Sequence, residues 1–335
     1  MGGYEALWHI FEALDLGFVE RVLSVNYGRR SKVGRPNRSL VGMFKTELVK
    51  RLIRIEGYEE LYRLLQVDNA LRSLCLIKDW EKPYHPSTLS RFRRRIGPEG
   101  FERLMKHLIR QLDGKNVISI ETLVLDATFI KAYSQRDPQD SSRGLSDSEA
   151  RLRKQGRNVT LGYGVHLATD ADSEMPLTTI VEPANVNEKK IAAPLLRKTL
   201  KQKKRRWKNM VADSQYSSAA FRDEAQRRGV EPVIPYPKNQ MKGKQVLRID
   251  RKFRSHGPAR LKRLYRRRSA VERVTSRLKD HFGLRQLRTR GLRNTIIHTL
   301  LCIITMLMTA LSSILLGHAE MMRSPVALIK LTGKL

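Results

Sequence analysis

The predicted fold depends above all on one run of residues, Leu123-Val-Leu-Asp-Ala-Thr-Phe-Ile130. Its apolar and β-branched residues form a run of strand length, which is typical of a buried strand. Two more β-rich runs follow it, Gly162 to Ala168 and Leu177 to Val181. Residues 134 to 158, between the first two runs, are rich in Ser, Asp, Arg and Gly and are predicted to form a loop.

Helices and strands alternate after these three strands. A helix is predicted from about Glu188 to Lys204, then a strand at Met210 to Asp213, a second helix near Ala219 to Arg228 and a strand at Val230 to Tyr236. Three early strands followed by this alternation predict an α/β fold, with a mixed sheet flanked by helices.

Residues 1 to about 112 are predicted to form a separate, mostly helical N-terminal domain, because apolar residues recur there at spacings of three and four. Within it, the segment Tyr84 to Ile96 begins a helix at Pro86 that is dense in arginine. Its polar residues are Thr88, Ser90, Arg91, Arg93, Arg94 and Arg95. This helix is either a recognition helix for DNA, with Arg91 and Arg94 as candidate contacts, or a solvated basic face of a packed helix.

The charge of the chain is strongly unbalanced. There are 65 Lys and Arg residues against 33 Asp and Glu residues, a formal net charge of +32. Such an excess indicates a polyanionic partner, either nucleic acid or an anionic membrane surface. The basic residues recur throughout the chain, as at 201–208 and 260–268. We therefore expect a folded surface that carries a phosphate-binding track.

One segment near the C-terminus is long enough to span a membrane. Asn294 to His318 has no formally charged side chain over about 25 residues. It also contains several Thr and Ser residues, so a buried core helix is the favoured interpretation over a membrane anchor. The acidic residues Glu5, Glu12 and Asp15 argue against a secretion signal. Two widely separated cysteines fit a reduced, cytosolic compartment.

Three acidic residues occupy positions suited to chemistry. Asp126 follows a run of apolar strand residues, Asp213 ends a second strand, and Glu272 lies on a helix rich in arginine. A carboxylate at the end of a buried strand is costly unless it is paired or bound to a metal ion. Oxygen ligands suit Mg²⁺ or Mn²⁺. Alternatively, either aspartate simply caps a turn.

The helix around Glu272 places four functional side chains on one face. Tyr265, Arg268, Glu272 and Lys279 fall within an arc of roughly 60° at about 100° per residue. A carboxylate for metal, a guanidinium, a phenol and an ammonium on one face suit a phosphodiester site. The alternative is an exposed helix in which Arg268 and Glu272 form an ordinary i,i+4 pair.

These residues carry a resemblance to a known family. Tyr265-x2-Arg268-x3-Glu272-x6-Lys279 is similar to the Y-x2-R-x3-E-x6-K signature of insertion-sequence DDE transposases. The stretches Val124 to Thr128 and Val211 to Tyr216 resemble the strands that carry the first and second aspartates of the family. Glu182-Pro-Ala-Asn-Val-Asn187 resembles the usual connection between them.

The resemblance implies an RNase H-like catalytic domain over residues 119–320, a small insertion at about 237–260 and a C-terminal tail at 321–335. Asp126, Asp213 and Glu272 would be catalytic and bind two Mg²⁺ or Mn²⁺ ions, while Tyr265, Arg268 and Lys279 would hold DNA phosphates. The apolar helix from Asn294 would pack across the sheet behind the active site.

The function expected from this resemblance is metal-dependent cleavage of transposon ends and strand transfer into target DNA. The expected partner is double-stranded DNA, both terminal inverted repeats and target, bound by a homodimer on paired ends. No membrane is involved, and the expected location is the prokaryotic cytoplasm, in association with the nucleoid. The rival interpretations are a non-catalytic basic DNA-binding protein, a membrane-anchored basic protein, and an RNase H-like nuclease without strand transfer.

Overall fold

The structure is a computed structural model that describes residues 4–12, 15–27, 38–155, 157–201, 207–237 and 259–332. The chain divides into two compact units. The first, called here the helical unit, contains Met1–Leu112 and Leu278–Leu335, and the second, the sheet unit, contains Asp113–Arg277. The insertion expected at about 237–260, including His256 and Gly257, lies almost wholly outside the described residues, as do residues 202–206 of the basic stretch.

The sheet unit is built on six strands. They are β1 (Thr122–Lys131), β2 (Arg151–Gln155), β3 (Asn158–Asp170), β4 (Pro176–Pro183), β5 (Asn209–Ala212) and β6 (Glu231–Val233). Strand β1 lies between β3, to which it is antiparallel, and β5, to which it is parallel. Strand β3 also pairs with β2 and β4, and β5 pairs in parallel with β6. The predicted mixed sheet is confirmed, and its order is RNase H-like.

The helices are numbered along the chain. They are α1 (Glu5–Glu12), α2 (Leu16–Tyr27), α3 (Leu40–Leu52), α4 (Tyr58–Val67), α5 (Asn69–Leu74), α6 (Pro86–Gly114), α7 (Glu188–Leu200), α8 (Ala219–Arg227), α9 (Ala259–Arg266), α10 (Ser269–Asp280), α11 (Leu292–Leu315) and α12 (Pro325–Thr332). Single-turn 3₁₀ helices lie at Ser214–Tyr216 and Ala319–Met321.

Local sequence signals explain where the elements of the sheet unit begin. Strand β1 is central, so Leu123, Val124 and Leu125 are all fully buried and form a continuous apolar run. Asn187 caps α7 by accepting a hydrogen bond from the Lys189 amide, and Ser218 caps α8 in the same way. The segment 134–158, which was expected to be a loop, contains β2; its polar sequence gave no strand signal.

The apolar helix α11 is the centre of the helical unit. It contacts α1, α3 and α12, and 94% of its most apolar window is buried. Most of its hydroxyl side chains donate to the carbonyl four residues earlier, as Thr299 does to Thr295 at 2.9 Å and Thr305 to Leu301 at 2.7 Å, whereas Ser312 donates to the His9 carbonyl of α1. The helix is therefore a core helix, as favoured from sequence. It belongs to the helical unit, and the expectation that it also packs across the sheet stays a prediction.

A buried ionic cluster joins α3, α4 and α6 in the helical unit. The Glu47 carboxylate is fully buried and accepts hydrogen bonds from Arg93 Nη1 at 2.5 Å and Tyr58 Oη at 2.8 Å. Arg51 Nη1 lies 3.2 Å from the same carboxylate. Burial alone would raise the pKa of Glu47, but Arg93 and Arg51 hold it below its usual value.

This cluster corrects one part of the recognition-helix interpretation. Arg93 is one of the basic residues of that predicted helix, but its guanidinium is buried and lies over the Tyr58 ring at 4.2 Å from the centroid. Arg91, Arg94 and Arg95 remain exposed on the same helix. The exposed basic face of this helix therefore consists of Arg91, Arg94 and Arg95 and does not include Arg93.

We expect Glu47→Ala to destabilise the protein by about 3–5 kcal/mol, because Arg51 and Arg93 would stay buried without their carboxylate. Urea denaturation measures this loss. Glu60→Ala, on an exposed position of α4, is the control and should change the stability by less than about 0.5 kcal/mol. Equal midpoints for the two variants would contradict the structural role of the cluster.

Candidate functional site

Parallel pairing of β1 with β5 brings two of the three predicted acids to neighbouring positions. The register aligns Leu125 of β1 with Ala212 of β5. Asp126 and Asp213 are the residues that follow this pair. Asp213 lies just past β5, where it caps the 3₁₀ turn by accepting a hydrogen bond from the Ser214 amide. The two carboxylates therefore lie side by side where the parallel pairing ends.

Arg268 links Asp126 to the third acid. Its Nη1 lies 3.7 Å from Asp126 Oδ2, and its Nη2 donates to Glu272 Oε1. Glu272 occupies the first turn of α10 and its side chain is half exposed. One guanidinium thus spans the two carboxylates, and the i,i+4 pair considered from sequence is present together with a longer-range partner.

The electrostatics at Asp126 show how tightly the acids are grouped. Burial raises the pKa of Asp126 to about 6, Arg268 opposes the rise, and Asp213 and Glu272 add to it. A nearby cation stabilises the charged form of a carboxyl group whose pKa is raised in this way. In this structure the Arg268 guanidinium supplies that positive charge.

The donor atoms of the site suit a divalent cation. The donors are carboxylate oxygens, which are the ligands that Mg²⁺ and Mn²⁺ prefer. Within the part of the chain that the structure describes, no three His, Cys, Asp or Glu side chains converge closely enough to hold a metal ion as they stand. The Arg268 side chain lies between Asp126 and Glu272. The donor chemistry therefore fits, provided that Arg268 moves.

The periodicity predicts that the four signature residues lie on one continuous helix, but in the structure they do not. Tyr265 belongs to α9, Arg268 lies in the turn that follows, and Glu272 and Lys279 belong to α10. The turn is tighter than an α-helix, because the Arg268 amide donates to the Tyr265 carbonyl at 3.0 Å. The Tyr265 side chain is only 6% exposed, whereas Lys279 is partly exposed.

A polar cleft of about 360 Å³ lies beside Asp213, and sequence reasoning did not single it out. Ser214, Gln215 and Glu188 line it together with Arg153 and His166. Arg153 Nη2 lies 3.1 Å from Glu188 Oε1. The one sequence signal for this cleft was the motif Val211 to Tyr216, which carries Asp213 and ends at Tyr216.

Tyr216 and His166 form a buried pair at the base of this cleft. The Tyr216 hydroxyl and His166 Nδ1 are 3.0 Å apart. Burial lowers the pKa of His166 to about 4, and Arg153 adds to the effect, so this imidazole is neutral near pH 7. The pair fixes the turn that follows Asp213.

The predicted DNA contacts of the N-terminal helix lie in the helical unit. Arg91 and Arg94 are exposed on α6. Arg91 lines a groove of about 490 Å³ together with Arg38, Lys82 and Arg95. The Arg95 guanidinium lies 4.7 Å from the centroid of the Tyr27 ring. A groove lined by basic and aromatic side chains suits a nucleic-acid backbone.

Two family models match the sequence of this chain. Residues 119–308 match the family model described as Transposase DDE domain, and residues 5–95 match one described as Transposase domain (DUF772). No curated protein matches the sequence.

Solved structures that are similar include a piggyBac transposase synaptic complex with hairpin DNA, at 11% identity and a TM-score of 0.44, over 96% of this chain and 77% of that one. A Mos1 transposase paired-end complex with the left transposon end shares 12% identity at a TM-score of 0.22, over 65% of each chain.

The family model spans more than half of the chain and includes Asp126, Asp213 and Glu272. DDE transposases normally use divalent metal ions. The chain belongs to the Transposase DDE domain family and is a DNA transposase, an enzyme that cleaves DNA and transfers strands.

Proposed function

We propose that Asp126, Asp213 and Glu272 are the catalytic residues of this transposase and together hold two divalent cations, Mg²⁺ or Mn²⁺. The observation that carries the proposal is the register of β1 and β5, which sets the two aspartates side by side. The contact of Arg268 with both Asp126 and Glu272 supports the inclusion of the glutamate.

Arg268 has a second role in this proposal. Its guanidinium is the counter-ion of Asp126 and Glu272 in the protein alone. Cations held by the three carboxylates would supply positive charge for the attacking and leaving oxygens. Arg268, whose planar donors suit a phosphate, would bind a DNA phosphate in the complex with DNA.

The other signature residues would hold the DNA. We assign phosphate contacts to Tyr265 and Lys279, with the basic residues at 201–208 and 260–268 carrying the duplex. Hydrolysis at a transposon end breaks one phosphodiester bond and leaves a 3′-hydroxyl. That hydroxyl then attacks a target phosphodiester, so one bond forms as another breaks, and one site serves both steps.

The helical unit would recognise the ends. In this proposal the helical N-terminal domain, residues 1–112, binds the terminal inverted repeats, residues 119–320 form the catalytic domain, and residues 321–335 are a tail. Arg91 and Arg94 contact the DNA from the exposed side of α6. The enzyme acts on double-stranded DNA as a homodimer on paired ends, in the prokaryotic cytoplasm at the nucleoid.

Substitution of Asp126, Asp213 or Glu272 by Ala should reduce Mg²⁺- or Mn²⁺-dependent cleavage of a supercoiled plasmid bearing the element's ends by more than about 100-fold, because even the partners of metal ligands typically contribute 10–100-fold. End binding, measured by gel shift, should persist. Asp223→Ala, an exposed acid on α8, is the matched control and should cut like the wild type.

The pattern of activity separates the rivals. Mutants of the three acids that cut like the wild type would show that the assignment is wrong. Cleavage without joined products would favour a nuclease without strand transfer, and binding without any cleavage would favour a DNA-binding protein that lacks catalysis.

Arg91→Ala and Arg94→Ala should weaken binding of the terminal repeats. Each lost phosphate contact should make the negative slope of log affinity against log salt concentration less steep by about 0.9. Fluorescence anisotropy over a salt series measures this slope. Arg110→Ala is the control, since Arg110 is exposed on the same helix but beyond its kink at Gly97. An unchanged slope in both arginine variants would favour the solvated basic face.

A further inference from the structure

A small cavity lies inside the helical unit, next to the ionic cluster of Glu47. Its volume of about 10 Å³ is about what one water-sized particle requires. Lys50, Arg51 and Arg93 line it from one side, and Arg288 and Thr289 line it from the segment before α11. It shares no lining residue with the cleft beside Asp213 or with the groove beside Arg91.

The charges around the cavity do not balance. Lys50, Arg51 and Arg93 are each less than 10% exposed, and Arg51 and Arg93 share the single carboxylate of Glu47 as their ion-pair partner. Arg288 adds a fourth cation at a half-exposed position, where it is paired with Glu56. A buried charge without a counter-charge is costly, so this cluster has an excess of about two positive charges to offset.

Hydrogen-bond donors around the cavity also exceed the acceptors. Arg51 Nε and Thr289 Oγ1 are buried and have no hydrogen-bond partner within the described part of the chain, and the Arg51 side chain otherwise interacts with the Cys302 thiol, which is only a weak acceptor. Lys50 Nζ donates to the Ile55 carbonyl at 2.8 Å, and an ammonium has three donors. Buried polar atoms are nearly always paired, so unmatched donors of this kind indicate a missing acceptor.

The ionisation of neighbouring groups responds to the same excess. Burial lowers the pKa of Lys50 to about 8, and Arg51 adds to this effect. Burial also lowers the pKa of His298, with further contributions from Arg51 and Lys50. Each of these groups would gain from an anion placed among them.

We propose that this cavity binds one small inorganic anion, of which chloride is the representative, between Lys50, Arg51, Arg93 and Thr289. The ligand chemistry is that of a compact acceptor of several hydrogen bonds with one negative charge. A phosphate of the DNA backbone shares that chemistry, but a phosphodiester is larger than the cavity. A free ion therefore fits better, and it would fasten α3, α6 and the start of α11 together.

The experiment measures thermal unfolding of the full-length protein without DNA or divalent metal. Sodium chloride is compared with sodium gluconate at equal ionic strength, since gluconate is too bulky for the cavity. We expect the Tm to be higher in chloride by about 3 °C, because a ligand that binds only the folded state raises its stability. Anomalous diffraction from a crystal soaked in bromide should place the ion in the cavity.

Variants localise the effect. Lys50→Met should abolish the chloride-dependent rise in Tm, and Thr289→Val should weaken it, which keeps the test decisive if the first variant does not fold. Lys45→Met is the matched control, because Lys45 is equally buried on α3 but lies over the Phe11 ring at 5.1 Å and outside the cavity. It should retain the full response to chloride.

Two results would overturn the proposal. Equal Tm values in the two salts, or equal chloride responses in the wild type, Lys50→Met and Thr289→Val, would show that the cavity takes no free anion. If chloride has no effect while Lys50→Met lowers DNA affinity, the buried cations contribute to DNA binding and do not form a site for a free ion. Neither outcome depends on the catalytic assignment, since the measurement involves no cleavage.

Discussion

The parallel pairing of β1 with β5 is the constraint on which the candidate active site depends. Alignment of Leu125 with Ala212 sets Asp126 beside Asp213, although 86 residues separate them along the chain. Two adjacent carboxylates at a partly buried strand end repel each other, so the site needs positive charge. Arg268 supplies it here, and its contact with Glu272 draws the first turn of α10 toward the same point.

The two units have opposite local imbalances of charge. In the sheet unit, Asp126, Asp213 and Glu272 outnumber the single guanidinium between them. In the helical unit, Lys50, Arg51 and Arg93 outnumber Glu47. Both arrangements cost free energy in the folded protein unless a counter-ion is present. A cation at the first place and an anion at the second would offset these costs.

Sequence reasoning succeeded where a local pattern carries the information. The apolar run at Leu123 predicted a buried strand, and the i,i+4 pair of Arg268 and Glu272, given as the alternative for that helix, is present. It failed where a distant partner decides the outcome. Arg93 is indistinguishable in sequence from its exposed neighbours, and only Glu47 and Tyr58 show that it is buried. Strand β2 was missed because its pairing with β3, and not its composition, makes it a strand.

Local sequence patterns were enough to predict the α/β class, the mixed sheet, the apolar core helix and the basic character of the chain, because strand runs, helical periodicity and charge are properties of short segments. Long-range contacts were needed to show that Tyr265 and Glu272 lie on separate helices and that α11 belongs with the N-terminal helices. The tertiary structure alone brought His166 to Tyr216 and left buried cations around a cavity. These features depend on contacts between residues far apart in the chain, which no local pattern records.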